Sequence, residues 1–204
     1  MEIVHTEVSL PLGFGGVKTD KLAFILDNVL TEAECSDLIQ ITEDQGYEPA
    51  LINVGGGQQK LCPEVRNNER CILDSVEKAN MIWERIRDYI PGVWGTKFKV
   101  VGLNERLRFL KYGPGEYFAP HLDGRYIRPD GSEESFITVQ LYLNEGFEGG
   151  NTTFMKRFTN GENVGVTPKI GRVLVFQHDI EHEGSLLVQG TKYTMRTDIM
   201  YTKF

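Results

Sequence analysis

From Lys97 to Tyr201 the chain is written in short alternating, β-branched or aromatic runs, punctuated by glycine and proline, and that texture leaves few folds open. Val100 to Tyr112, Ser135 to Asn144, Thr152 to Met155, Arg172 to Gln177 and Lys192 to Tyr201 read as strands. Tyr112-Gly113-Pro114-Gly115 is a turn, and Gly146 and Gly149-Gly150 follow the strand that ends at Asn144. Short strands at this spacing predict a sandwich or jelly roll. Ahead of them, Leu22 to Val29 reads as one more strand. Thr31 and Glu34 then form a capping box that opens a helix to about Gln45-Gly46, with Cys35, Leu38, Ile39 and Ile41 as its apolar stripe. Val76, Ala79, Ile82, Ile86 and Ile90 predict a second helix from Ser75 to about Ile90, closed by Pro91. Between the helices, Gly55-Gly56-Gly57-Gln58-Gln59-Lys60 is expected as a mobile loop beside the site, since it lacks the flanking strand, helix and Lys-Ser/Thr of a phosphate loop. The expectation is one mainly β domain over residues 1–204. Helices and strands over about 22–95 would support a jelly-roll core over about 97–204.

With 22 basic and 29 acidic residues the net charge is −7, which works against general affinity for nucleic acid or anionic membranes. No stretch approaches the ~18 apolar residues of a membrane span, and the start lacks a charged segment followed by an apolar run. A cytosolic or nuclear chain is expected. Cys35, Cys62 and Cys71 are odd in number and lack metal-type spacing, so they read as free thiols in a reducing compartment. The oligomeric state is left open by the sequence.

Chemistry concentrates at His121-Leu122-Asp123. Two residues apart on a strand, the imidazole and the carboxylate leave the same face, about 7 Å apart. Together they make two-thirds of the 2-His-1-carboxylate set of non-haem Fe(II) oxygenases. Of the other histidines, His5 lies in the N-terminal segment, leaving His178 and His182 as partners. His178 and His182 stand four apart, as in zinc hydrolases, but a strand rather than a helix leads into them. A zinc-dependent hydrolase and a catalytically silent jelly-roll binding protein are the alternative readings.

Several segments, in order, carry a more specific resemblance. They are Arg108-Phe109-Leu110-Lys111-Tyr112, Pro114-Gly115, His121-Leu122-Asp123, Leu141-Tyr142-Leu143-Asn144, Gly149 to Phe154, Gly171 to Phe176, His182-Glu183-Gly184 and Gly190-Thr191-Lys192-Tyr193. With them, the chain from about Leu22 to Tyr201 resembles the 2-oxoglutarate/Fe(II) dioxygenase family, and within it the catalytic domain of prolyl 4-hydroxylases. The resemblance implies a double-stranded β-helix (jelly roll) and a hydroxylase that couples decarboxylation of 2-oxoglutarate to oxidation of a peptide, protein or small molecule. It implies Fe(II), 2-oxoglutarate and O2 as the working set, with ascorbate as a further small-molecule partner. It assigns His121, Asp123 and His182 as metal ligands, because Lys192 follows His182 at the family's interval for the residue that pairs with the far carboxylate of 2-oxoglutarate. His178 is then left as a surface residue or a neighbour of the ligands. Arg196, which shares a face with Lys192 and Thr194, is a second candidate for that carboxylate. Tyr142 is implied as a hydroxyl contact to 2-oxoglutarate, with Tyr112 and Thr138 beside it. For substrate, Arg108, Arg125 and Tyr126 are candidates, the last two opening a loop to about Glu134 that is expected as a lid.

Overall fold

Alternation in the sequence becomes the two faces of one large antiparallel sheet. In the computed structural model, which describes residues 2–12, 18–55, 58–156 and 162–204, that sheet has 10 strands among the described residues. From one edge it runs Val4–Glu7, Ala23–Asp27, Val173–Gln177, Glu133–Tyr142, Lys192–Lys203, Arg106–Tyr112, Glu69–Asp74 and Glu48–Pro49. Phe98–Leu103 pairs with the far half of Lys192–Lys203 and carries Val93–Trp94 on its other side. A smaller sheet, Phe118–His121, His182–Gly184, Thr152–Phe154 and Val164–Val166, faces it.

Period two decides what each face does. Leu107 and Phe109, Ile137, Val139 and Leu141, Val173 and Val175, and Met195 and Ile199 join one apolar core. Cys35, Leu38, Ala79, Ile82 and Ile86 of the two helices cover that face. The alternate residues point the other way: Arg108, Tyr112, Gln140, Lys192 and Arg196 line a cavity, while Tyr142, Leu174 and Phe176 pack under the small sheet.

Helix α1 spans Glu32–Gln45 and opens with the expected box: the Glu34 amide donates to Thr31 Oγ1, and the Thr31 amide donates to Glu34 Oε2. Its buried side is Cys35, Leu38 and Thr42 rather than Ile41, and the Thr42 hydroxyl bonds the Leu38 and Ile39 carbonyls. Helix α2 spans Val76–Ile86 and stops short of Ile90, because Arg87–Tyr89 tighten into a 3-10 turn before Pro91. The stretch expected as a mobile loop is a hairpin instead, Ile52–Gly55 paired with Gln58–Lys60; Gly56 and Gly57 lie outside the described residues. Cys35, Cys62 and Cys71 are buried free thiols.

Candidate metal and cosubstrate site

Register in the small sheet sets His121 directly opposite His182, with ring centroids 4.3 Å apart. Each imidazole is oriented by the carbonyl two residues before it: Nδ1 of His121 bonds the Ala119 carbonyl at 2.8 Å, and Nδ1 of His182 the Ile180 carbonyl at 2.9 Å. That fixes the Nδ1–H tautomer and leaves both Nε2 lone pairs aimed inward. They converge on Asp123, at 3.7 Å from Oδ1 and 3.8 Å from Oδ2. One donor atom from each of the three lies within 4.8 Å of the others.

Asp123 itself lies past the end of the Phe118–His121 strand, contrary to the expectation of one strand carrying both ligands. Pairing resumes past the bulge at His121 opposite His182 and stops there, and the Asp123 amide turns to donate to the His178 carbonyl at 3.0 Å. Its carboxylate is gripped from the large sheet. Thr138 Oγ1 donates to Oδ2 at 2.5 Å, and Arg196 Nη2 stands 3.2 Å from Oδ1. Burial alone would raise this carboxyl, but Arg196, the two imidazoles and the Thr138 hydroxyl together hold it below the usual carboxylate range. Burial, reinforced by the neighbouring His182, brings His121 down to about 4. Neutral imidazole at ordinary pH and an ionised carboxylate, converging on one point, are a donor set that fits a divalent cation such as Fe(II).

Rows across the large sheet build the rest of the pocket. Arg108, Arg196 and Gln140 form one row, and Tyr112 opposite Lys192 another. Lys192 is buried at the inner end, 1% exposed, and its ammonium donates to the Gly150 carbonyl at 2.5 Å. It also sits 4.8 Å from the Tyr112 ring centre and 6.0 Å from that of Tyr142. No carboxylate pairs with it among the described residues, and burial pulls it down to about 7. Gly150 is required there: at φ +67° an added Cβ would come within 2.9 Å of Leu187 Cδ1 and 3.1 Å of Lys192 Cδ. Arg196, the rival anchor, is engaged by Asp123 and by Asp198 at 3.1 Å. The Tyr142 hydroxyl donates to Thr152 Oγ1 at 2.7 Å, and Thr152 lines the cavity. Thr138, expected toward 2-oxoglutarate, has its hydroxyl on Asp123 instead.

This inner cavity, about 50 Å³, opens into a mouth of about 580 Å³. Arg108 lines both and pairs with Asp198 at 3.3 Å, while Arg125 and Tyr126 line the mouth. Arg125 pairs with Glu134 and lies over the Phe136 ring. The expected lid after Asp123 is tied down: Ile127 bridges to Glu134, and Arg128 is forked onto Glu105 at 2.7–2.8 Å and bonded to Glu133 at 2.6 Å.

His178 is not at the surface but is a neighbour of the ligands, its carbonyl accepting from the Asp123 amide. It is 6% exposed, with Nε2 3.4 Å from Asp198 Oδ1, so the zinc pairing of His178 with His182 is not assembled. Two neighbours of the site escaped the sequence reading. Asp198 extends the same period-two series as Lys192, Thr194 and Arg196, so counting on would have found it. Arg66 stands in the turn after Cys62, bridged to Phe118, and carries no local signal.

Comparison with known proteins bears on this geometry. The model of the 2OG-Fe(II) oxygenase superfamily matches residues 107–197, the span from the Arg106–Tyr112 strand through both histidines and Lys192. Residues 107–197 are similar to that superfamily. "Probable prolyl 4-hydroxylase 8" of Arabidopsis thaliana is 29% identical over 140 residues, 65% of this chain and 44% of its own length. The chain spans about half the length of the curated relatives it matches, 44% and 59% for the first two. Among solved structures, the 2OG complex of the viral collagen prolyl hydroxylase of Paramecium Bursaria Chlorella virus-1 superposes with a TM-score of 0.62 at 20% identity. It covers 90% of this chain and 97% of that one. The prolyl hydroxylase of Trichoplax adhaerens, solved with a hypoxia-inducible-factor peptide fragment, gives 0.64 at 16% identity over 87% and 82% of the two chains. These likenesses make the fold a jelly roll, with the large and small sheets as its two walls.

Proposed function

We propose that this chain is an Fe(II)- and 2-oxoglutarate-dependent hydroxylase of the prolyl 4-hydroxylase type, acting on a peptide-borne residue. The observation that carries the reading is the convergence of His121 Nε2, His182 Nε2 and the Asp123 carboxylate at the head of a cavity whose far end is a buried Lys192 with no carboxylate partner among the described residues. Bound there, Fe(II) with 2-oxoglutarate and O2 would supply the oxidising power to convert 2-oxoglutarate to succinate and CO2, one oxygen atom entering succinate and the other a substrate C–H bond. The protein's own part is positioning and charge. His121 and His182 arrive with their rings fixed through Nδ1 and Nε2 turned inward, and Asp123 is kept ionised by Arg196 and Thr138. Lys192 offers its ammonium to the far carboxylate, supported by the Gly150 carbonyl, and Tyr112 and Tyr142 wall that end against water. Arg196 balances Asp123 and Asp198, so we assign the anchoring role to Lys192. Arg108, Arg125 and Tyr126 are placed at the mouth, where a substrate enters. The prolyl hydroxylase relatives and the peptide complex of the Trichoplax enzyme support peptide as the substrate class. The apolar cores on both faces of one sheet draw on residues from Phe24 to Tyr201, which supports a single domain. Buried free cysteines fit a reducing compartment, cytosolic or nuclear.

Succinate release from 2-oxoglutarate by the purified chain, with Fe(II) and with ascorbate as reductant, tests the class. Turnover in the wild type and none in Asp123→Ala is the expected result. A wild type that neither binds 2-oxoglutarate nor turns it over, even uncoupled, overturns the reading and returns a silent binding protein.

A further inference from the structure

Five arginines line the mouth, and four of them are paired with carboxylates. Arg70 meets Glu48, Arg108 meets Asp198, Arg125 meets Glu134, and Arg196 is held between Asp123 and Asp198. Arg66 is the exception. It is partly buried and lines both the inner cavity and the mouth. Its Nε donates to the Asn68 amide oxygen at 2.7 Å, a neutral partner, and its guanidinium lies 4.5 Å from the centre of the Phe118 ring. No carboxylate pairs with it among the described residues, and its two Nη groups keep their donors for the cavity. Phe118 in turn stacks on His121, centroids 3.6 Å apart and planes at 16°. The guanidinium is thus one aromatic ring away from a metal ligand.

A cation taken out of water without a counter-charge is costly, and a guanidinium does not escape by losing its proton. The cosubstrate does not supply the missing anion on the reading above: one carboxylate goes to Lys192 and the other to the metal. We propose that Arg66 receives a carboxylate of the substrate, so that this site selects substrates bearing an anionic group close to the carbon that is oxidised. The inference rests on the oxygenase reading and names the substrate class for it. Arg108, across the cavity, adds a second guanidinium, and its pairing with Asp198 at 3.3 Å is loose enough to be shared. Phe118 packs against the Arg66 guanidinium and Asn68 takes its Nε, leaving the two Nη groups for bidentate contact.

The probes are short N-acetylated peptides with one central proline, offered to the Fe(II)- and 2-oxoglutarate-loaded chain without O2. One pair differs only in Asp against Asn beside the proline; a second ends on the proline as free acid or amide. The expected result is a preference of about tenfold or more for the acid member of one pair. The pair that shows it distinguishes an acidic side chain from a chain-terminal carboxylate as the source. In Arg66→Gln the acid member should fall to the level of its neutral twin, and Arg66→Lys should restore part of the difference. Retained binding of the neutral twin by Arg66→Gln shows that the fold and the rest of the site survive. No acid preference in the wild type, or one that persists in Arg66→Gln, overturns the assignment. So does a variant that raises the 2-oxoglutarate requirement while keeping the preference, since the guanidinium then serves the cosubstrate. Succinate release by the wild type, measured alongside, separates the two failures: without it the oxygenase reading falls, and with it only the substrate class does.

Discussion

Asp123 shows how much of a metal site is built outside its ligands. Two groups of the large sheet, Thr138 Oγ1 and Arg196 Nη2, fix its carboxylate from behind. Removing the hydroxyl alone, as Thr138→Val, should weaken metal binding about 10–100-fold while leaving the fold intact, measured by Fe(II) or Mn(II) titration. An unchanged affinity would mean that Thr138 serves another partner. Lys192 makes a second residue-scale case. Its folded value of about 7 lies below its ordinary 10.5, so between those pH values the unfolded chain holds a proton that the folded one lacks. The cofactor-free protein should therefore gain stability relative to Lys192→Met as pH rises from about 7. Binding of the dianionic cosubstrate favours the charged ammonium, so 2-oxoglutarate affinity should fall over the same rise. Calorimetric titration of both proteins from pH 6 to pH 9 checks this; a wild-type affinity that does not fall with pH would remove Lys192 as the anchor.

At the scale of elements, Glu34 does two jobs. It closes the α1 cap on Thr31, and both its oxygens take the Arg85 guanidinium of α2 at 2.6 and 2.9 Å, locking the helices together. Arg85 and the Thr31 amide hold its carboxyl down at about 2 against an ordinary 4.5. Its stabilisation is thus present above the ordinary value and lost as pH falls through about 2. Glu34→Gln should cost about 1–2 kcal/mol at neutral pH, with the gap closing on acidification; Thr31→Ala should cost about 1 kcal/mol. Thermal melts across that range read both. The box, the strands and the His121-X-Asp123 pair were legible because each is a local spacing. The Gly55–Lys60 stretch misled because Gln58–Lys60 shows no apolar alternation of its own, yet it pairs with Ile52–Gly55. The burial of His178 and the approach of Arg66 to Phe118 depend on contacts 20 and 52 residues away in sequence, to Asp198 and Phe118, and no window shows them.

Across the whole molecule, one sheet separates the work of folding from the work of chemistry. Leu141 belongs to the helix-covered core and its neighbours Gln140 and Tyr142 to the opposite face. Leu141→Ala should cost about 2–5 kcal/mol of stability yet keep 2-oxoglutarate affinity within a few-fold at low temperature, by melting and titration together. A proportionate loss of affinity would show that the two faces are mechanically coupled. The small sheet carries a different consequence. Because each imidazole is oriented by the carbonyl two residues before it, the nest of donors is finished before any ion arrives. A nest that needs no rearrangement does not discriminate among callers of similar size. Later first-row ions bind nitrogen and oxygen donors more tightly than Fe(II) does, so Co(II), Ni(II) or Zn(II) should seat themselves first and block the proposed turnover. Selection of iron then belongs to the cell's supply of metals rather than to the protein.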